Sequence, residues 1–404
     1  MNNIIQKWKE TSLILKIVIG LIIGTILGLL FPNAEFLGIT GTIFIGALKA
    51  IAPVLVAVLV CSSIASAGGG LGARFRTVII LYLSSTFIAA ICAVIFSKLF
   101  PVKLVLPEAA SSAAPKGLAE VFLSLLINIV ENPVKAIANA NYLGILFWAV
   151  IFGLALKLAA SEKTLAIAKD LSDAVSKSVS WIIQFAPIGI MGIMFSNISG
   201  NGLNIFANYG EVIMLLVGTM LFVALVTNPL IVFLLLRKNP YPLVLRCIRE
   251  SGLQAFFTRS SAANIPTNMK LCEDLGLDRD FYSVSIPLGS TINMDGAAVT
   301  ITVMTLAAAA TLGVNVSVPI AIVLSIVSTL GAAGSSGVAG GSLLLIPMAC
   351  SLMGISNDIA MEVVAVGFII GVVQDSVETA LNSSGDVIFT AAAEFYEQKR
   401  KISK

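Results

Sequence analysis

The chain has 404 residues, of which 57% are hydrophobic and only 12% are charged, and its formal net charge is +3 at pH 7. Roughly a quarter of the residues in an ordinary soluble domain are charged, so this composition excludes a typical soluble protein and predicts an all-α protein that crosses a membrane several times. The sequence contains no histidine, which removes the commonest acid–base side chain and metal ligand, and we expect a protein that is not an enzyme.

Six apolar runs in the first part of the chain are long enough to cross a bilayer. They cover about residues 13–31, 43–65, 77–100, 118–160, 176–199 and 210–236. The first run follows Lys7 and Lys9 and has no small-residue cleavage site, so it is predicted to be a spanning helix rather than a cleaved signal. The fourth run is too long for one crossing and contains Pro133, which predicts a break.

The basic residues predict the orientation of the chain. They cluster around residues 7–9, 74–76, 237–249 and 399–404, which would all lie on one side of the membrane if both termini were inside. Because Lys and Arg are enriched in cytoplasmic loops, we expect a multi-pass protein with both termini in the cytoplasm.

Two interrupted apolar segments follow. Residues 243–272 are divided by a polar tip at 258–264, and residues 318–352 by a tip of small residues at 331–337. Each apolar piece is too short to span a bilayer, so the sequence predicts two re-entrant helical hairpins. A helix with an Asn and an Asp follows each hairpin, and such paired interrupted segments are typical of a transporter binding site.

A polar stripe lies in the last apolar segment. It consists of Asp375, Glu378, Thr379, Asn382 and Asp386. Steps of three and four residues place these side chains on one helix face. The sequence has no Lys or Arg between positions 279 and 399, so we expect bound cations or a substrate ammonium, rather than protein charges, to neutralise the stripe.

The expected cation is monovalent. Asp295 and Asp386 are far apart in the sequence and each is accompanied by an Asn, which provides one carboxylate per site, whereas tight Ca²⁺ sites gather several. Sodium is the preferred ion, and protons are the alternative because a membrane carboxylate can also relay protons.

The chain resembles the dicarboxylate/amino acid:cation symporters, a family that includes glutamate and neutral amino acid transporters. The resemblance covers essentially the whole chain and is carried most specifically by residues 258–261, 289–296, 331–337 and 375–386. It implies eight transmembrane helices and two re-entrant hairpins in inverted repeats, as in glutamate transporters.

The resemblance also implies a division within one membrane domain, residues 1–404. The scaffold part would lie mainly in residues 12–66 and 118–200, and the transport part mainly in residues 77–100 and 209–395. A homotrimer in the bacterial cytoplasmic membrane is implied as well, in contact with lipid and without a nucleic acid partner.

Three sodium sites are implied by the resemblance. The Asp386 site would combine this carboxylate with carbonyl groups of Gly289, Asn293 and Asn382. The Asp295 site would combine Asp295 and the Asn293 amide with Tyr82, Ser85 and Thr86. The carbonyl site would use Thr291, Met294, Thr329, Leu330 and Ala332 once the second hairpin closes.

For the substrate, the resemblance implies that Asp375 binds the ammonium group together with carbonyl groups of the two hairpin tips. The predicted substrate-binding residues are Arg259, Ser260, Ser261, Met294, Ser335, Gly337, Asp375, Glu378, Thr379 and Asn382. Among these, Ser261 and Asn382 would hold the substrate carboxylate.

Glu378 departs from the acidic amino acid transporters of this family, which have an arginine at its position, and Ala297 replaces a threonine. A negative side chain in a medium of low dielectric constant repels a substrate carboxylate, so the sequence favours a neutral amino acid. Glu378 would either accept a hydrogen bond from a serine or threonine hydroxyl or pair with Arg259.

The leading hypothesis is sodium-coupled uptake of serine and threonine by alternating access, with the second hairpin as the outer gate. A proton-coupled carrier, or a carrier of other small neutral amino acids or dicarboxylates, is the alternative, and a channel is more distant. An enzyme that uses Asp375 and Asp386 as a pair is disfavoured, because three helical turns separate them by about 16 Å.

Overall fold

The computed structural model describes residues 11, 13–66, 72–106, 130–333, 335 and 340–402, and every regular element in these ranges is a helix. Five of the described helices are long and apolar enough to cross a membrane, or six spans if one pair of helices bent by 53° counts as a span. The predicted class, an all-helical protein with several membrane spans, is confirmed.

The N-terminal half contains seven described helices and two short 3₁₀ turns. In chain order they are α1 (Leu13–Leu30), α2 (Ile39–Ser66), α3 (Gly72–Leu99), α4 (Pro133–Ala138), α5 (Tyr142–Ala159), α6 (Glu162–Gln184) and α7 (Ala186–Asn201), with 3₁₀ turns at Glu35–Gly38 and Gly202–Asn204. The bent pair is α6 and α7. The predicted break at Pro133 is confirmed because α4 begins there, whereas residues 118–129 lie outside the described ranges.

The C-terminal half contains shorter and more irregular pieces. They are α8 (Ile205–Phe222), a π-helical turn (Val223–Thr227), α9 (Asn228–Leu236), α10 (Tyr241–Cys247), a second π-helical turn (Ile248–Gly252), α11 (Leu253–Thr258), α12 (Ser261–Asp274), α13 (Arg279–Ile292), α14 (Asp295–Thr311), α15 (Val318–Ala332), a 3₁₀ turn (Ser342–Leu345), α16 (Ile346–Ser351) and α17 (Asn357–Ile402). The breaks after Thr258, after Ile292 and after Ala332 coincide with predicted interruptions, whereas the π-helical turn Val223–Thr227 lies within the run 210–236, for which the sequence predicts no break.

Helix α1 packs closely on α7 through small residues. A Cβ atom at Gly24 would lie 2.3 Å from the carbonyl oxygen of Met191, and one at Gly20 would lie 2.2 Å from that of Pro187. Only glycine allows this separation of the two helix backbones. The small residues in α1 therefore have a packing role.

The first predicted hairpin is formed by α10, α11 and α12. Arg259 has a left-handed backbone conformation, with φ of 52°, and ends α11. Ser260 then caps α12, because its hydroxyl accepts a hydrogen bond from the Ala263 N–H at 3.2 Å. Thr267 on the second arm donates to Gln254 on the first at 2.8 Å, so the two arms run antiparallel from a tight tip.

The second predicted hairpin is formed by α15, the 3₁₀ turn and α16. Ser335 at its tip is buried, whereas Gly337, a predicted substrate-binding residue, lies outside the described residues. Helix α14 lies at the centre of the C-terminal half, and every residue from 295 to 309 is buried. It packs against α3, α15 and α17, which carry several of the other predicted binding residues.

Candidate functional site

The Asp295 site forms where the first turn of α14 meets α3. The Oδ1 atom of Asp295 accepts hydrogen bonds from Ser85 at 2.9 Å and from Thr86 at 3.1 Å. Both hydroxyls also lie within 3.0 Å of the Tyr82 carbonyl oxygen, and the Ser85 hydroxyl lies 3.3 Å from Oδ1 of Asn293. The structure therefore brings together all five residues predicted for this site.

At the Asp295 site, the two hydroxyl protons of Ser85 and Thr86 are shared among more acceptor oxygens than they can satisfy. The Ser85 hydroxyl has one proton but three acceptors, on Tyr82, Asn293 and Asp295, and the Thr86 hydroxyl faces two of the same acceptors. A buried cluster of carboxylate, amide, hydroxyl and carbonyl oxygens with too few donors matches the ligand preference of a small hard cation.

The Asp386 site lies on the other side of Asn293. The Asn293 amide nitrogen donates to Oδ1 of Asp386 at 3.1 Å and to the Asn382 carbonyl oxygen at 3.0 Å. The Oδ2 atom of Asp386 is buried and has no hydrogen-bond partner among the described residues. It is a second acceptor in need of a positive partner.

Gly289 allows α13 to approach the Asp386 site. A Cβ atom there would lie 2.8 Å from Oδ1 of Asp386 and 2.8 Å from the Tyr82 hydroxyl. This hydroxyl in turn lies 3.1 Å from the carbonyl oxygen of Asp386 and 3.2 Å from that of Ser285. The helix backbone therefore comes near the carboxylate only because the residue has no side chain.

The break between α13 and α14 positions Asn293 for both sites. Asn293 and Met294 have non-helical backbone conformations, with φ and ψ of −92° and 82° and of −123° and 51°. The Asn293 side chain leaves the helical path, so its nitrogen reaches Asp386 while its oxygen faces Ser85. One amide thus links the two carboxylate sites.

Among the described residues, no hydrogen bond links the predicted ligands of the carbonyl site to one another. The carbonyl oxygens of Met294 and Thr329 accept ordinary helical hydrogen bonds from Ala298 and Ala333, each at 3.0 Å. The other predicted ligands, Thr291, Leu330 and Ala332, also lie at or near helix ends. This site stays a prediction.

The predicted substrate residues converge on α17. Arg259 donates from Nε to Oδ2 of Asp375 at 2.6 Å, and the backbone N–H of Gly340 donates to Oδ1 at 3.3 Å. The Asn382 amide oxygen accepts from the N–H of Gly296 at 2.7 Å. Thr379 bonds the Asp375 carbonyl at 2.7 Å, so its hydroxyl is held by its own helix.

The prediction that no protein charge neutralises the polar stripe is wrong for Asp375. No basic residue is near it in the sequence, but Arg259 reaches it from the first hairpin tip, and both side chains are buried. Helix α11 ends in a left-handed residue at this point, which turns the chain at the hairpin tip. Asp295 and Asp386 do not take part in ion pairs within the described residues.

The hydrogen-bond partners of Glu378 differ from the two that the sequence suggests, a substrate hydroxyl and Arg259. Its Oε2 atom accepts hydrogen bonds from Thr300 at 2.7 Å, from Ser342 at 2.9 Å and from Gln374. These donors come from α14, the second hairpin and α17. Arg259 is paired with Asp375 instead, so the pairing of Glu378 with Arg259 is wrong.

Several polar residues that contact the site were missed by the sequence analysis. They are Asn228, Thr300, Ser342 and Gln374. Gln374 could have been found, because it lies one helical turn before Glu378 and extends the polar stripe. Asn228 could also have been noticed as an amide beside Pro229 within a long apolar run.

A second buried polar cluster fixes the first hairpin on α17. The Asn264 amide donates to the Ser383 hydroxyl at 2.7 Å, and Asn268 donates to the Ser383 carbonyl oxygen at 3.2 Å. Ser251 in the first arm donates to Oδ1 of Asn268 at 2.5 Å. The Ser251 hydroxyl also lies 3.3 Å from the Ser383 hydroxyl, so both arms of the hairpin are bonded to the helix that carries the polar stripe.

The chain is similar to known proteins over almost its whole length. Residues 13–394 match the sodium:dicarboxylate symporter family. The serine/threonine transporter SstT of Bifidobacterium adolescentis is 61% identical over 390 residues, which cover 96% of this chain and 91% of the relative. The serine/threonine transporter SstT of Streptococcus agalactiae is 58% identical over 396 residues, or 98% of each chain.

Proposed function

The chain belongs to the sodium:dicarboxylate symporter family, and we propose that it takes up serine and threonine together with sodium by alternating access. The names of the two relatives support serine and threonine as substrates. The observation that carries the ion coupling is that Asp295 and Asp386 are fully buried without a basic partner among the described residues, and that Oδ2 of Asp386 also lacks a hydrogen-bond partner there.

Sodium would supply the missing positive charge at two carboxylate sites. A basic partner or a bound cation stabilises an ionised carboxylate that is buried in a membrane protein, and neither Asp295 nor Asp386 has a basic partner in the described residues. We assign one sodium ion to the Asp295 site and one to the Asp386 site. A third would bind at the carbonyl site when the second hairpin closes.

The two carboxylate sites are proposed to act together. Since Asn293 bonds Asp386 and faces Ser85 of the Asp295 site, an ion at either site would fix the same amide. The neighbouring Met294 and Asn382 belong to the proposed substrate site, and the Asn382 amide lies 3.4 Å from the Met294 sulfur. Sodium binding would therefore order the backbone break before the substrate is held.

The substrate ammonium is assigned to Asp375. Both carboxylate oxygens of this residue have partners, Arg259 on one and the Gly340 N–H on the other. An arriving ammonium group would share or replace the guanidinium contact. The substrate carboxylate would be held by Ser261 and Asn382, with carbonyl groups of Arg259 and Ser335 completing the ammonium site.

Glu378 is proposed to exclude acidic substrates. Two like unit charges about 4 Å apart repel by about 4 kcal/mol at an effective dielectric constant of about 20, which corresponds to roughly a thousandfold in affinity. Glu378 has no basic partner among the described residues, but Thr300, Gln374 and Ser342 all donate to one of its oxygens, and hydrogen bonds of this kind favour the ionised form that the proposal requires. A serine or threonine hydroxyl could be accepted by the same carboxylate, whereas a substrate carboxylate could not.

The architecture that we propose has eight transmembrane helices and two re-entrant hairpins in inverted repeats. Residues 12–66 and 118–200 would form most of the scaffold, and residues 77–100 and 209–395 most of the moving transport part. The hydrogen bonds of Asn264 and Asn268 to Ser383 favour a first hairpin that stays with α17, which leaves the second hairpin as the gate. We propose that the protein is a homotrimer in the bacterial cytoplasmic membrane, with both termini in the cytoplasm.

Exchange in proteoliposomes tests whether this chain is a carrier. Liposomes loaded with unlabelled L-serine should take up labelled L-serine by saturable exchange in the presence of sodium, and L-threonine but not L-aspartate should compete. Ion conductance without saturable, stereoselective exchange would instead indicate a channel. Strong competition by aspartate would indicate a dicarboxylate carrier.

A further inference from the structure

We propose that Asn228 is a positioning residue for the Asp295 site and sets its affinity for sodium. This inference rests on the proposed sodium coupling and adds a residue from a helix that supplies none of the predicted ligands. The amide nitrogen of Asn228 donates a hydrogen bond to Oδ2 of Asp295 at 2.9 Å, and Asn228 is only 1% exposed.

The partners of Asp295 are divided between its two oxygens. Oδ2 is bonded by Asn228 from α9, whereas Oδ1 is bonded by Ser85 and Thr86 from α3. Asn228 therefore fixes the rotation of the carboxylate, so that Oδ1 stays among the hydroxyl and carbonyl oxygens of the site. Without the amide, Oδ2 would be a buried anionic oxygen with no donor, and the carboxylate could turn away from the other ligands.

The amide of Asn228 is itself incompletely satisfied. A carboxylate only accepts hydrogen bonds, so the amide must turn its nitrogen towards Asp295. Its oxygen, Oδ1, is then buried with no hydrogen-bond partner among the described residues. Buried amide oxygens normally have a hydrogen-bond partner. Here the amide oxygen lacks one, because the amide is oriented so that its nitrogen bonds Asp295.

An irregularity in the helix directs Asn228 towards the site. The π-helical turn Val223–Thr227 lies immediately before it, and Pro229 follows it. Each additional residue rotates the following side chains by about 100° around a helix, and such π-turns are frequent at functional sites. Pro229 has no N–H, and the carbonyl four residues earlier, on Leu225, instead accepts a hydrogen bond from the Tyr241 hydroxyl at 3.1 Å.

Sodium titrations of the purified full-length protein test this role. Thermal unfolding is followed with increasing sodium chloride in the absence of serine, with choline chloride keeping the ionic strength constant, and serine KM is measured in proteoliposomes at saturating sodium. Asn228→Leu and Asn228→Ala should raise the sodium concentration for half-maximal stabilisation by about tenfold or more. Serine KM at saturating sodium should stay within about threefold of the wild-type value.

Thr227→Val is the matched control. Thr227 neighbours Asn228 in the same irregular turn and is also buried, but its hydroxyl bonds the carbonyl of Val223 in its own helix at 3.1 Å. Its sodium midpoint should equal that of the wild type. A purely structural role for Asn228 would lower the unfolding temperature of its variants at all sodium concentrations without moving the midpoint.

The outcomes separate this inference from the proposed function. If the wild-type protein gains no stability from sodium, the sodium coupling itself fails. If the wild type responds but both Asn228 variants keep its sodium midpoint within about twofold, the positioning role is overturned. If the leucine variant does not purify as a monodisperse protein, the alanine variant decides by the same criterion. If neither variant purifies while Thr227→Val purifies normally, a role of Asn228 confined to sodium binding is overturned.

Discussion

The Nε atom of Arg259 lies 2.6 Å from the Oδ2 atom of Asp375, and both side chains are buried. This ion pair joins the tip of the first hairpin to the polar face of α17. Removing one partner of a buried ion pair leaves an uncompensated charge, which is strongly unfavourable. The pair places a positive charge beside Asp375, the carboxylate that we propose as the partner of the substrate ammonium.

Asp375→Asn should abolish serine binding while sodium still binds. The substitution removes the charge that we assign to the ammonium partner, and loss of such a contact lowers affinity on the order of a hundredfold or more. The two sodium carboxylates, Asp295 and Asp386, are unchanged. Thermal unfolding of the purified variant should respond to sodium and fail to respond to serine.

A neighbouring substitution controls for damage to α17. Ser376 follows Asp375, but its hydroxyl bonds the carbonyl of Val372 in its own helix at 2.9 Å, so Ser376→Ala should keep normal serine binding. Normal serine affinity in the Asp375→Asn variant would show that the ammonium binds elsewhere.

Glu378→Gln should weaken the discrimination against acidic amino acids. The amide oxygen can still accept from Thr300 and Ser342, but the negative charge that repels a substrate carboxylate is gone. We expect L-aspartate to inhibit serine uptake at a concentration at least about tenfold lower than in the wild type. Competition curves in proteoliposomes measure this.

Thr300→Val separates the charge of Glu378 from its hydrogen bonds. The variant removes the donor at 2.7 Å but keeps the carboxylate, so aspartate should remain a poor competitor. Equal aspartate inhibition in wild type and Glu378→Gln would place Glu378 outside the selectivity mechanism.

Gly289→Ala should lower the affinity for sodium. The new Cβ atom would lie 2.8 Å from Oδ1 of Asp386 and 2.8 Å from the Tyr82 hydroxyl, so either the carboxylate or α13 has to move. We expect the sodium midpoint of thermal stabilisation to rise by about tenfold, because ligand displacements of a few tenths of an ångström distort a small cation site.

Gly218 has open space around its Cβ position, and Gly218→Ala should leave the midpoint unchanged. The idea fails if the two alanine variants behave alike.

Asn268→Ala should destabilise the protein. The substitution removes the hydrogen bonds to Ser383 at 3.0 and 3.2 Å and leaves the Ser251 hydroxyl without its 2.5 Å acceptor. Buried groups left unsatisfied cost about 1–3 kcal/mol in the free energy of unfolding, which denaturant titration in detergent can measure. Thr267→Ala, one residue earlier, breaks only an exposed contact to Gln254, and it should change the stability by less than about 0.5 kcal/mol.

The local features of the site could be predicted from the sequence. The stripe on α17 follows from helical spacing alone, and the break at Asn293 and Met294 follows from polar residues inside an apolar run. Both patterns depend on neighbours within one element. The all-helical membrane class follows in the same way from the length of the apolar runs.

The contacts between distant elements could not be predicted in this way. Arg259 and Asp375 are 116 residues apart, and Asn228 and Asp295 are 67 residues apart. Helical periodicity says nothing about which faces meet across such distances. For this reason, the absence of basic residues near Asp375 in the sequence was a poor guide to its partner in space, and the amide beside Asp295 gave no local signal of its role.

Sodium-driven accumulation of serine is the decisive test of the proposed sodium coupling. Purified protein in liposomes is given labelled L-serine with an inward sodium gradient, and separately with an inward proton gradient and no sodium. We expect serine to accumulate above its external concentration only with the sodium gradient, and we expect this accumulation to be lost when an ionophore dissipates that gradient. Equal accumulation with the proton gradient alone would contradict sodium coupling and the assignment of sodium to Asp295 and Asp386.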